Sequence, residues 1–87
     1  MKYKVSMRIV SEHEKLFDAT LDISDYLRSK KINANYIHMT RYGGPPLETI
    51  FSMRDVPKRK MKHIRACVEK FEHYVGKRPG VYYEPIS

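Results

Sequence analysis

The side chains in this sequence best suited to chemistry are cations. Between Arg54 and Arg65 stand six basic residues (Arg54, Lys58, Arg59, Lys60, Lys62 and Arg65) against one acid, Asp55. A cation in the first turn of a helix opposes the helix dipole and costs a few tenths of a kcal/mol, up to about 1. Stability alone would therefore not choose this run at a helix start. The same helix end presents free backbone N–H groups, and cations around them make a phosphate site in which dipole and side chains act together. Lys58, Arg59, Lys60, Lys62 and Arg65 are the expected phosphate contacts. The plainer reading of such a run is a solvated face that keeps the protein soluble.

Other reactive groups are sparse. His38 lies between Tyr36 and Tyr42 on one segment and could move a proton, but no Ser, Cys or carboxylate is spaced to act with it. The only cysteine, Cys67, excludes an intrachain disulfide, and the four histidines are scattered without metal-ligand spacing. The expectation is a non-enzyme with no metal and no cofactor, in which Cys67 is a packed small residue. A chain of 87 residues supports one hydrophobic core, so residues 1–87 are expected to form one domain. The hydrophobic share of 41% argues against disorder. No apolar run approaches the roughly 20 residues that span a bilayer, and the start lacks a secretion-signal core. A soluble, cytoplasmic protein without a membrane partner is expected.

The elements that must position the cations follow from periodicity. Residues 3–10 alternate, with Tyr3, Val5, Met7 and Ile9 on one side and Lys4, Ser6 and Arg8 on the other, which predicts a strand. Ser11 stands three residues before Glu14, a capping-box spacing that predicts a helix start. Leu16, Ala19, Thr20, Ile23 and Leu27 then share one helical side, opposite Glu14, Asp18, Asp22 and Asp25, up to about Lys30. Residues 34–42 alternate again, and the aliphatic pair Ile37 and Met39 is expected inward, leaving Tyr36, His38 and Tyr42 outward. Gly43 to Pro46 reads as a turn. Residues 48–54 form a third strand with Phe51 and Met53 inward, and Asp55 and Pro57 start a second helix. Met61, Ile64, Val68, Phe71 and Val75 fall in one narrow arc of that helix, Gly76 ends it, and residues 81–86 form a last, edge strand.

The order βαββαβ closes most simply as an α+β, ferredoxin-like fold. It has a four-stranded antiparallel sheet of order 4-1-3-2 with both helices on one face. The free face would carry Lys4, Ser6 and Arg8 beside Ile50, Ser52 and Arg54 on its central strands, flanked by Tyr36, His38 and Tyr42 on one edge and Tyr82 or Tyr83 on the other. The chain start, the loop after the first helix and the start of the second share one end, which brings Lys2, Lys30 and Lys31 near Lys58, Arg59 and Lys60. The sheet face resembles a single-strand platform, where aromatics stack on bases and cations track phosphates. The RNA-recognition family carries an aromatic-rich third strand, whereas Glu48 to Arg54 here holds one aromatic, Phe51. The acylphosphatase family shares the topology, but Ile9 to His13 stands in place of its glycine-rich arginine loop. The leading expectation is a nucleic-acid-binding domain, for RNA or DNA. Its rival is a small regulatory module that binds an acidic protein or dimerises through its sheet.

Overall fold

Alternating apolar residues at Val5, Met7 and Ile9 build the first strand, and its neighbours are recruited by the same period. The computed structural model describes residues 1–41 and 44–86, with the side chains at 41 and 45 outside the description. The elements are β1 (Lys2–Ser11), α1 (Leu16–Ser29), β2 (Asn33–Arg41), β3 (Gly44–Pro57), a 3-10 turn (Lys58–Lys60), α2 (Met61–Val75) and β4 (Gly80–Pro85). The sheet order is β2-β3-β1-β4, which is the expected 4-1-3-2 read from the opposite edge. Every pairing is antiparallel.

The core lies between the sheet and the helices. Val5, Met7, Phe51 and Met53 project from the central strands against Leu16, Ile23 and Leu27 of α1 and Ile64, Cys67 and Phe71 of α2. The helical arcs read from the sequence are therefore the buried ones, with Cys67 fully inside rather than at the margin. Removing side chains of this size from water is the main stabilising contribution, about 1.5–3 kcal/mol for each.

The helix ends depart from expectation. Ser11 forms no capping box with Glu14; its Oγ accepts the His13 N–H at 3.0 Å, and His13 Nδ1 accepts the Lys15 N–H at 3.0 Å. A histidine thus organises the turn that leads into α1. After α1, the Lys31 N–H reaches the Arg28 carbonyl at 3.0 Å and the Ile32 N–H reaches the Leu27 carbonyl at 3.0 Å. This is a Schellman closure, and it holds Lys31 at φ 58, a left-handed conformation that usually selects glycine. Gly76 closes α2 at φ 71 with its N–H on the Glu72 carbonyl at 2.8 Å.

Asp55 does not start α2. Tyr3 pairs with Val56 and Val5 with Met53, so Arg54 and Asp55 together oppose Lys4 in a bulge, with Asp55 at φ 55. Aspartate tolerates this region better than most side chains. The bulge shifts the register by one residue, and the ladder resumes with Tyr3–Val56 and Lys2–Pro57 where the cations gather. The turn expected at residues 43–46 lies partly outside the described residues, and β3 begins at Gly44, earlier than the sequence suggested.

Candidate interaction surfaces

Facing residues in an antiparallel pair share a side of the sheet, so the register fixes what each face carries. Ala34 faces Met53, Tyr36 faces Phe51 and His38 faces Thr49, and these partners point to the helices. The assignment of β2 is thus the reverse of the expected one: Tyr36 and His38 lie on the helix side, and Ile37 and Met39 on the open face. The contacts agree. The Tyr36 ring is 5.5 Å from Phe51, and the His38 ring is 4.9 Å from Phe17 of α1. The physical reason is Ile32, only 6% exposed, which sets the phase of Ile32, Ala34, Tyr36 and His38 under α1. Tyr42 lies outside the described residues.

His38 is the end of a buried polar chain. Its Nδ1 is 2.8 Å from Thr49 Oγ1, which is 2.9 Å from Thr20 Oγ1, and the Thr20 hydroxyl donates to the Leu16 carbonyl at 2.8 Å. Since the Thr20 proton is committed to Leu16, Thr49 donates to Thr20 and His38 must donate from Nδ1. Burial holds the His38 pKa below the ordinary histidine value. The histidine satisfies buried hydroxyls, which is a structural task.

The open face divides into two halves. Toward one end the facing rows are Met39–Glu48–Val10 and Ile37–Ile50–Arg8; toward the other they are Asn35–Ser52–Ser6–Tyr82 and Asn33–Arg54. Ile37 is 61% exposed, Met39 39% and Tyr82 67%. Arg8 forms an ion pair with Glu48 in the middle of the apolar half, so its charge is committed within the sheet. The positions where a base-stacking platform needs rings hold Ser6 and Ser52. Lys4 and Arg54 lie beside each other with Asp55 at the bulge end.

The cations at that end fall into groups on different sides. Lys60 Nζ donates to the Lys31 carbonyl at 3.1 Å, joining the loop after α1 to the start of α2. His63 beside them has its pKa lowered by burial and by the charges of Lys30, Lys62 and Lys60, and its Nδ1 is 3.2 Å from the Tyr26 hydroxyl. Lys30 lies 5.5 Å from the Tyr26 ring centre and Lys70 5.1 Å. Lys58 and Arg65 instead border a cleft toward β4 with Tyr3 and Tyr83. Lys2, at the start of β1, faces Pro57, and Arg59 is exposed in the 3-10 turn. Apart from Arg8, the sequence-predicted cations thus share one end of the molecule but not one surface. Among the described residues no three His, Cys, Asp or Glu side chains gather as a metal site requires, and no helix is long and apolar enough to cross a membrane.

With this geometry in hand, the comparisons are informative about fold. No family model and no curated relative matches the sequence. Solved structures do. A functionally unknown protein from Pediococcus pentosaceus superimposes with TM-score 0.60 at 15% identity, covering 99% of this chain and 93% of that one. A DUF3240 family protein from Shewanella baltica gives TM-score 0.59 at 14% identity, covering 99% and 91%. A dimeric ferredoxin-like protein of unknown function from Thermobifida fusca gives TM-score 0.55 at 5% identity, covering 98% and 92%. The fold is ferredoxin-like.

Proposed function

We propose that this chain is a non-catalytic protein-interaction module that assembles with a second copy of itself through the open sheet face. The observation that carries this reading is the apolar half of that face, where Ile37, Met39, Ile50 and Val10 surround the Arg8–Glu48 pair. Single exposed aliphatics are ordinary, but a contiguous patch rimmed by polar residues marks a contact surface. A face of four strands, about 27 Å by about 19 Å, spans roughly 500 Å² in plan, the size of a small, weakly associating interface rather than of a standard one with about 800 Å² per partner. A two-fold contact sets the same patch against itself, which brings the apolar rows of the two copies together. That the Thermobifida fusca protein is described as dimeric is in keeping with this use of the fold.

The nucleic-acid reading keeps the basic end and loses its path across the sheet, because Tyr36 faces the helices and Arg8 is paired. Two measurements separate the readings. Sedimentation of the whole chain over a range of concentrations is expected to show a monomer–dimer equilibrium that survives added salt, since apolar burial is not screened. Titration with oligonucleotides is expected to show only weak binding that vanishes as salt rises. A strictly monomeric protein that binds oligonucleotides tightly would overturn the proposal.

A further inference from the structure

The cleft bordered by Tyr3, Lys58, Met61, Arg65 and Tyr83 has the composition of a ligand site. Its volume is about 430 Å³, within the range of small-molecule pockets. Lys58, Met61 and Arg65 follow one another at helical spacing along one side of the 3-10 turn and α2. Tyr3 and Tyr83 come from β1 and β4. Because Val5 faces Tyr83 and Tyr3 faces Pro85, the tyrosines are diagonal neighbours on the helix side of the sheet, about 7–8 Å apart at this kind of position. Both tyrosines line the cleft, so two aromatic side chains are within reach of a ligand held there.

Charge distinguishes this cleft from its neighbours. In the groove between the helices, Lys70 pairs with Asp22 at 3.8 Å and the Tyr74 hydroxyl donates to Asp22 at 2.9 Å. In the groove beside Arg8, the cations are also committed: Arg8 to Glu48, Arg78 to Glu72 at 3.3 Å, and Lys77 to the Val10 carbonyl at 2.6 Å. The Tyr3–Tyr83 cleft has no carboxylate in its lining, and neither Lys58 nor Arg65 has an ion-pair partner among the described residues. Two uncommitted cations of different geometry, a point charge and a planar fork, line the cleft together with two tyrosines and an apolar methionine. That set matches a ligand with a flat ring at one end and a phosphate at the other.

We propose that this cleft binds a phosphorylated aromatic small molecule of the size of a nucleoside monophosphate, with the phosphate on Lys58 and Arg65 and the ring against Tyr3 and Tyr83. The site lies on the helix side at the β4 edge, away from the open face, so it does not depend on self-assembly. The test is a titration of the full-length, isotope-labelled protein with AMP, followed by amide NMR shifts, with adenosine and ribose 5-phosphate as partial ligands. Saturable shifts confined to the start of β1, the 3-10 turn, the first turns of α2, and β4 are expected, with each partial ligand at least about tenfold weaker. The exposed changes Lys58→Gln and Arg65→Gln together are expected to weaken AMP by about tenfold or more while leaving the unbound spectrum folded. Tyr83→Leu, at an edge position that is 42% exposed, is expected to weaken AMP and leave ribose 5-phosphate unchanged. Equal binding of AMP and ribose 5-phosphate, shifts centred on His63 and Lys30, or no response to AMP at millimolar concentration would each overturn the assignment. So would undiminished affinity in the Lys58/Arg65 double variant.

Discussion

Ile37→Thr tests the open face with little else disturbed. The substitution keeps a β-branched side chain, which strands favour, so the monomer is expected to hold its stability within about 0.5 kcal/mol. Its effect on assembly follows from exposure. Fully burying an isoleucine contributes about 1.5–3 kcal/mol, and 61% of Ile37 is still open to water in the single chain. Covering the remainder gains about 1–2 kcal/mol, and a two-fold interface uses the residue twice. Threonine gives up most of that, so the dimer should weaken by about 1.5–3 kcal/mol, roughly 10- to 150-fold in Kd. Sedimentation equilibrium of both proteins measures the change, and urea unfolding of the monomer checks the fold. An unchanged dimerisation constant in a normally folded Ile37→Thr protein would refute the assignment of this face.

Four further outcomes test the rest of the structure. Lys31→Gly removes a left-handed lysine and is expected to stabilise the protein by about 0.5–1 kcal/mol in urea unfolding, since glycine adopts φ 58 freely. Thr49→Val breaks the Thr20–Thr49–His38 chain and is expected to cost about 1–3 kcal/mol, read as a lower midpoint in calorimetry. Because burial lowers the His38 pKa, the unfolded state binds its proton more readily; stability should be full above the ordinary value of 6.5 and fall as pH drops below it, with a shallower fall in His38→Gln. Burial also pushes the Cys67 thiol up to about 12, so a thiol reagent should label it only as fast as the protein opens, and labelling at the rate of a free thiol would contradict its placement.

Much of the fold was legible because the strongest periodicities belong to residues that pack on both neighbours. Ile64, Val68, Phe71 and Val75 can share an arc only in a helix, and all are buried. The topology then follows from handedness and short connections. Local chemistry was less legible wherever two devices compete for one segment. Ser11 and Glu14 have capping-box spacing, yet His13 supplies both a carbonyl and a ring nitrogen to the same turn. Asp55 and Pro57 look like a helix start, yet the β1–β3 ladder runs on past Asp55 to Pro57, which leaves Asp55 as a bulge residue inside β3. Lysine at the left-handed closing position of α1 has no sequence signature, because Gly or Asn would be expected there.

The candidate site turned on the phase of β2. In residues 34–40 both alternating sets contain apolar atoms, so hydrophobicity alone does not choose between Tyr36 with His38 and Ile37 with Met39. A one-residue change of phase moves every side chain to the other face. What decides is outside the run: Ile32, hidden in an otherwise polar break, is buried by the closure of α1 and carries its parity into Ala34, Tyr36 and His38. Edge-strand positions under a helix are only half covered, which suits a tyrosine and a histidine that present polar tips to water or to a hydroxyl. The aliphatics are thereby displaced to the open face, where none of the described elements covers them. The phase that turns Tyr36 toward the helices is the one that leaves Ile37 and Met39 on the open face, so base stacking on Tyr36 and the proposed self-assembly through Ile37 and Met39 draw on opposite phases of β2.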